Sequence, residues 1–342
     1  MLPRSVQCLN MTALAAVFSI LACFPAPAQE AKGKPDQSKP WRDGVVEAKS
    51  DAGFVFMADK GGFAGKEGLD LNMVQFKGDA LALRGMLAGE LESYEGNPGA
   101  PLLAASRGAD IKIIGCYWPV LTNAIFVRQG ISSVADLKGK AFAISSPGAL
   151  PDLFARVVLQ ANGLTESDVR FAVMGSDADR FRALSAGIAD AAVISTEFAP
   201  LAEKQGIKLL VHPHDAAPNY LRFCIYTSSA VLKQRHDDVV RFLAAEMKAL
   251  RYALANRDKV LDVTRQVTDI KPDDPRPGYI FDEVTKYSAI DPTMPIPLEK
   301  LGWLQDLLVK TGNLSAKIDV KTIVDDGPRQ QALAQVGTEG GK

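Results

Sequence analysis

Apolar residues in this chain fall into short runs of strand length, separated by stretches in which they recur at helical spacing. In the first third the pattern predicts strands at Gly44–Ala48, Asp70–Phe76, Leu91–Tyr94, Ile111–Cys116 and Asn123–Val127. Helices are predicted at Phe54–Lys66, Ala80–Ala88 and Pro98–Arg107. A short helical turn at 134–140, closed by Gly139, leads into a second set. Its strands are Ala141–Ile144, Val169–Val173, Ala191–Ile194 and Leu209–His212; its helices are Leu150–Asn162, Ala178–Ala186 and Phe198–Gln205. Gly163, Gly187 and Gly206 stand just past those helices, where a left-handed residue ends them.

Arg222–Thr227 reads as a returning strand. The rest is helical, with Val239, Leu243, Met247, Leu250 and Leu254 striping one face of Asp238–Leu254. Further helices fit Asp258–Val267, Gly278–Tyr287 and Leu298–Thr311. Strands interleaved with helices predict an α/β chain with mostly parallel sheets covered on both faces. The order predicts two lobes, one formed by 41–135 and 227–335, the other by 136–226. Two crossings then make a hinge, with a cleft between the lobes and extra C-terminal helices on the first. Ligands of such sheets bind at the carboxyl ends of the strands, which here carry polar small-residue loops such as Lys49-Ser50-Asp51.

The first residues change the compartment rather than the fold. Arg4 precedes a run from Leu9 to Phe24 that is apolar apart from Asn10, Thr12 and Ser19, and Ala26-Pro27-Ala28 offers a cleavage site. Residues 1–28 therefore read as a secretory signal and 29–40 as a flexible leader, which places the mature protein in the periplasm. Lipid attachment at Cys23 is the alternative. Lys+Arg 39 against Asp+Glu 40 leaves no basic excess to hold a nucleic-acid backbone. With Cys8 and Cys23 in the signal, Cys116 and Cys224 remain on apolar runs; they are expected to be separate buried thiols, with a disulfide as the other possibility.

Four short motifs occur in a telling order. They are Ala58-Asp59-Lys60-Gly61 with Glu67-Gly68-Leu69, Asp136-Leu137-Lys138-Gly139, Ser145-Ser146-Pro147-Gly148 with Pro151-Asp152, and Leu184-Ser185-Ala186-Gly187 with Asp190-Ala191-Ala192. In them the chain resembles the nitrate/sulfonate/taurine-type solute-binding proteins of bacterial ABC transporters, a group that includes binders of thiamine pyrimidine precursors. The resemblance implies a two-lobe type II periplasmic-binding fold. It also implies a cleft that closes on a small solute and a closed form recognised by a cognate ABC permease. The sequence departs from the group at Lys77-Gly78-Asp79 and at Tyr94-Glu95-Gly96-Asn97-Pro98. Both are cleft loops, so the group's ligands do not carry over.

Candidate ligand residues follow from these loops. Ser145, Ser146 and the amide of Gly148 end a strand and open a helix, a place for an anion or an ordinary cap. Ser50, Gly78, Ser176 and Thr196 sit on equivalent loops, whose neighbours Asp79 and Asp177 read as helix caps. Tyr117 and Trp118 end a strand and either wall the pocket or pack the hinge. Glu95 is either a cleft carboxylate that pairs with an amine or a solvent-facing strand residue; Asn97 suits a donor or an acceptor. Asn123 and Tyr226 lie on the presumed crossings. His212-Pro213-His214 lacks further ligands at metal spacing, and neither a catalytic triad nor a phosphate loop occurs. The expectation is a monomeric, non-catalytic binder of a small organic solute without metal or cofactor. An enzyme on the same fold, or a protein presenting its ligand to a receptor, is the alternative.

Overall fold

The computed structural model describes residues 39–145 and 149–337; the predicted signal, most of the leader, Ser146 and Gly148 lie outside them. Two five-stranded sheets organise the molecule. The first contains β1 (Trp41–Val46), β2 (Leu71–Phe76), β3 (Ser93–Gly96) and β4 (Lys112–Trp118). The second contains β5 (Asn123–Val127), β6 (Ala141–Ile144), β7 (Arg170–Val173), β8 (Ala191–Ser195) and β9 (Lys208–Val211). β10 (Phe223–Thr227) returns to complete the first sheet. The orders are β2-β1-β3-β10-β4 and β7-β6-β8-β5-β9. In each sheet one strand runs against the rest: β10 is antiparallel to β3 and β4, and β5 to β8 and β9.

Those two strands correct the expected boundaries. β5 was expected in the first lobe, up to residue 135, yet all five of its residues pair with β8. Arg222–Thr227 was expected as the return crossing, with the lobe boundary at 226, yet β10 lies wholly in the first sheet, paired with β3 and β4. The chain therefore passes between sheets at 119–122 and again at 212–222. Both strands are almost wholly buried, so their residues carry no periodicity that says which sheet they join.

The crossings are tied together. Lys300 Nζ donates to Pro119 O (2.9 Å) on one and to Pro218 O (2.8 Å) on the other. Below them Cys116 and Cys224 face each other across β4 and β10, joined in a disulfide with Cα atoms 3.9 Å apart. This corrects the expectation of separate thiols. The residues are 108 apart in sequence, and only sheet order makes them neighbours.

Helix His236–Ala255 buries Val239, Leu243, Met247 and Leu250 against the first sheet, and Leu254 is half-buried at its end. Asp237 and Asp238 in its first turn oppose the positive end of the helix dipole. The single helix expected at Phe54–Lys66 is three pieces, Ala52–Val55, Met57–Lys60 and Phe63–Lys66. Gly62 lies between the last two at φ +72°, a left-handed conformation that glycine adopts without the cost of a β-carbon. No helix among the described residues is long and apolar enough to cross a membrane.

Candidate functional site

Between the sheets, at the carboxyl end of β1, lies a cavity of about 140 Å³. Such a volume suits a solute of roughly benzene size. Lys49, Asp51, Asp79, Glu95 and Asn97 wall it from the first-sheet side; Thr122, Asn123, Leu150 and Ser195 wall it from the other. Arg222 and Phe223 enter from the return crossing.

Arg222 is the most heavily built element of the wall. Its guanidinium lies 4.1 Å from the Trp118 ring centroid and 4.6 Å from that of Phe223. Its Nη2 is ion-paired with Asp51, while Nη1 is buried with no protein partner. Burial pulls its pKa down to about 9, with Glu283 opposing the fall, so it remains a cation at neutral pH. A buried N–H with no acceptor is costly, and a bound solute would supply the acceptor.

Glu95 is 1% exposed, which rules out the solvent-facing reading. Tyr117 donates its hydroxyl to Glu95 Oε2 at 2.6 Å, and Oε1 has no partner. Burial raises the carboxyl to about 7, and the Tyr117 hydrogen bond acts against the rise. Asp79 accepts from the Tyr94 hydroxyl and from Asn97 N (3.0 Å); burial lifts its pKa too. Asn97 is spent on the framework: Nδ2 donates to Leu221 O (3.1 Å), and Oδ1 accepts from Gly99 N (2.9 Å).

Contacts across the cleft frame the cavity. Lys49 Nζ meets Asp177 at 2.8 Å, and Ser50 N donates to Glu197 Oε2 at 3.1 Å. Burial alone would raise the Asp177 carboxyl, but Lys49 and Arg180 hold it below the ordinary carboxylate range.

Of the expected ligand residues, the structure brings Glu95 and Asn97 to the cavity wall. Tyr117 and Trp118 are fully buried behind it, one bonded to Glu95 and the other stacked under Arg222. They position cavity groups rather than wall the pocket. Ser50 lies between two lining residues with its hydroxyl buried and unpartnered. Ser145 ends near β6 with its hydroxyl likewise unpartnered, outside the cavity wall.

Three others do structural work. Ser176 caps helix Asp177–Ser185, its Oγ accepting from Asp179 N (3.2 Å) in an exposed capping box. Thr196 donates to Glu283. Gly78 precedes helix Asp79–Leu87 at φ +112°, a conformation that excludes most side chains. Asn123 does line the cavity, whereas Tyr226 stacks on Tyr94 with centroids 5.3 Å apart.

Sequence reasoning placed Lys49, Asp51 and Ser195 on cleft loops without singling them out as ligand residues, and it passed over Thr122 and, above all, Arg222. A signal was present in that last case: Arg222 is a lone charge inside the apolar run Tyr220–Tyr226. Among the described residues no cluster of His, Cys, Asp or Glu has the arrangement of a metal site.

Comparison with known proteins agrees with this architecture. The proposed aliphatic sulfonates-binding protein of Bacillus subtilis (strain 168) is 27% identical over 96% of this chain and 97% of its own length. A solved structure of a proposed sulfonate ABC transporter's periplasmic sulfonate-binding protein, SsuA from Methylobacillus flagellatus KT, superposes with a TM-score of 0.72. It is 18% identical and covers 89% of this chain and 96% of the other. The desulfurization enzyme DSZB shares the fold at a TM-score of 0.67 and 16% identity, over 86% of this chain and 99% of its own. The fold thus hosts both binders and a catalyst. The family model described as NMT1/THI5 like matches residues 49–260, with the cavity's first-sheet loop at one end and the long helix at the other, and the chain belongs to that family.

Proposed function

We propose that this protein is the extracytoplasmic solute-binding subunit of an ABC importer, and that its solute is a small organic compound with an anionic or strongly accepting group received by Arg222. The carrying observation is the buried, unpartnered Nη1 of an arginine that is already ion-paired and stacked, on the wall of a cavity between two sheets. A solute there touches both sides of the cleft, the condition for ligand-driven closure. The names of the relatives make a sulfonate the first candidate. Transport further needs an exported chain, which the signal-like residues 1–28 supply, and a permease that recognises the closed form.

Catalysis has less support. Among the described residues both cysteines are tied in a disulfide, and no hydroxyl that lines the cavity is hydrogen-bonded to a lining base.

Calorimetric titration of the mature protein with C1–C4 alkanesulfonates, short carboxylates and amines of equal size tests the reading. Anions are expected to bind and amines not. Arg222→Gln should weaken anion binding by about 10- to 100-fold, the worth of a hydrogen bond to a charged group. Equal binding of the anions by wild type and variant would remove Arg222 from the site.

A further inference from the structure

The cavity wall holds a second buried orphan, and it is an oxygen. Glu95 Oε1 has no hydrogen-bond partner, although the side chain is 1% exposed and Oε2 is held by Tyr117 at 2.6 Å. As a carboxylate, Glu95 would repel the anion that Arg222 is placed to receive. Its surroundings remove the conflict. Asp43 on β1 lies diagonal to Glu95 on the same sheet face, because Asp43 pairs with Ser93 and Val45 with Glu95. Glu246, from helix His236–Ala255, faces both carboxyls and is itself 1% exposed. Asp43 is 0% exposed, with Oδ1 accepting from Ser93 Oγ (2.5 Å) and Oδ2 unpartnered.

Among the described residues no cation is ion-paired with any of these three acids. Arg222 is paired with Asp51 and Lys49 with Asp177; of the other lining acids, Asp79 has its own donors and Glu47 is exposed. Three buried carboxyls in contact with one tyrosine and one serine hydroxyl cannot all be ionised. We infer that Glu95 serves in its protonated form, as a carboxylic acid whose Oε1 side donates a hydrogen bond to the same acceptor-bearing solute that Arg222 binds. Two neutral-pH donors then converge on one acceptor-rich ligand, and the orphan oxygen and the orphan N–H are satisfied together. Asp43 and Glu246 are positioning residues: they fill the buried layer beside Glu95 with carboxyls rather than cations, so that the Tyr117 hydroxyl alone favours a Glu95 carboxylate there. This rests on the anion reading above, and the direction of its titration agrees, since burial holds the Glu95 proton to about pH 7.

The test uses ethanesulfonate, whose charge does not change between pH 5.5 and 8.5, titrated calorimetrically into the mature protein across that range. The dissociation constant should be flat at the acid end and rise towards tenfold per pH unit above about 7, as one proton is lost. Glu95→Gln, a permanent donor, should flatten the profile. Tyr117→Phe removes the hydrogen bond that favours the carboxylate, so it should move the break to higher pH. Affinity that rises with pH, or superimposable wild-type and Glu95→Gln profiles, would overturn the inference. If ethanesulfonate binds at no pH, the anion reading fails, and ligand-free protein still decides the state of Glu95. The infrared difference spectrum between wild type and Glu95→Gln must show a carboxylic-acid C=O band at pH 6 that is lost by pH 8.5. Its absence at pH 6 would refute a protonated Glu95.

Discussion

Glu95, Asp43 and Glu246 occupy one apolar layer, and burial raises all three carboxyls. The consequence for stability has a definite sign. A carboxyl raised on folding binds its proton more tightly in the native state, so stability falls as pH climbs from its unfolded value through its folded one. For Glu95 that window runs from 4.5 to about 7, and the loss is on the order of 3 kcal/mol once both values are passed. Carboxyls held low by partners, such as Asp177 and Asp274, act in the opposite sense and only below about pH 4. Urea denaturation of ligand-free protein should therefore show lower stability at pH 8 than at pH 5, and Glu246→Gln should shrink the difference. A flat profile across that interval would mean that the acids find partners or water. The acidity of Glu95 was not readable from its neighbours in sequence. Asp43 and Glu246 stand 52 and 151 positions away by their numbering, and only sheet pairing and helix docking bring them together.

At the scale of elements, the disulfide is the strongest constraint. It joins β4 to β10 across 108 residues, and β5 to β9 all lie within the loop that it closes. Closing so long a loop restricts the unfolded chain, which stabilises the native state by about 2–5 kcal/mol. Reduction, or the Cys116→Ser/Cys224→Ser double substitution, should lower the denaturation midpoint accordingly. An unchanged midpoint would show that the sheet holds the strands without it. The helix stripe of Val239, Leu243, Met247 and Leu250 was legible because its period is local. The cysteine pairing was not, because either cysteine reads equally well as a small apolar residue on a strand.

For the whole molecule, side chains bridge the cleft away from the cavity. Glu283, on helix Arg276–Lys286, accepts from Thr196 and contacts His212 Nε2 at 2.8 Å. His212 Nδ1 accepts the His214 N–H (3.2 Å), which leaves the ring hydrogen on Nε2, pointed at Glu283. The Glu283 bonds join the helix to residues that follow β8 and β9, so separating the sheets would break them, and they are expected to favour the closed form independently of the solute. Glu283→Ala should weaken solute binding by about tenfold, the value of one or two such bonds. It should also enlarge the radius of gyration of ligand-free protein in small-angle scattering. Unchanged scattering and affinity would show that Glu283 takes no part in closure.

The alternation of strands and helices, the glycine stops after Asn162, Ala186 and Lys204-Gln205, and the buried face of the long helix were determined by the sequence itself, since each depends on residues within a few turns of one another. The family resemblance, carried by short loops in order, was also present there. Tertiary structure alone decided which sheet β5 and β10 join, that Cys116 meets Cys224, and that Arg222 lies on Trp118 beside Asp51 with a free Nη1. The reason is physical: strand pairing and cavity composition depend on which distant segments pack together, and a buried strand presents the same apolar pattern to every partner.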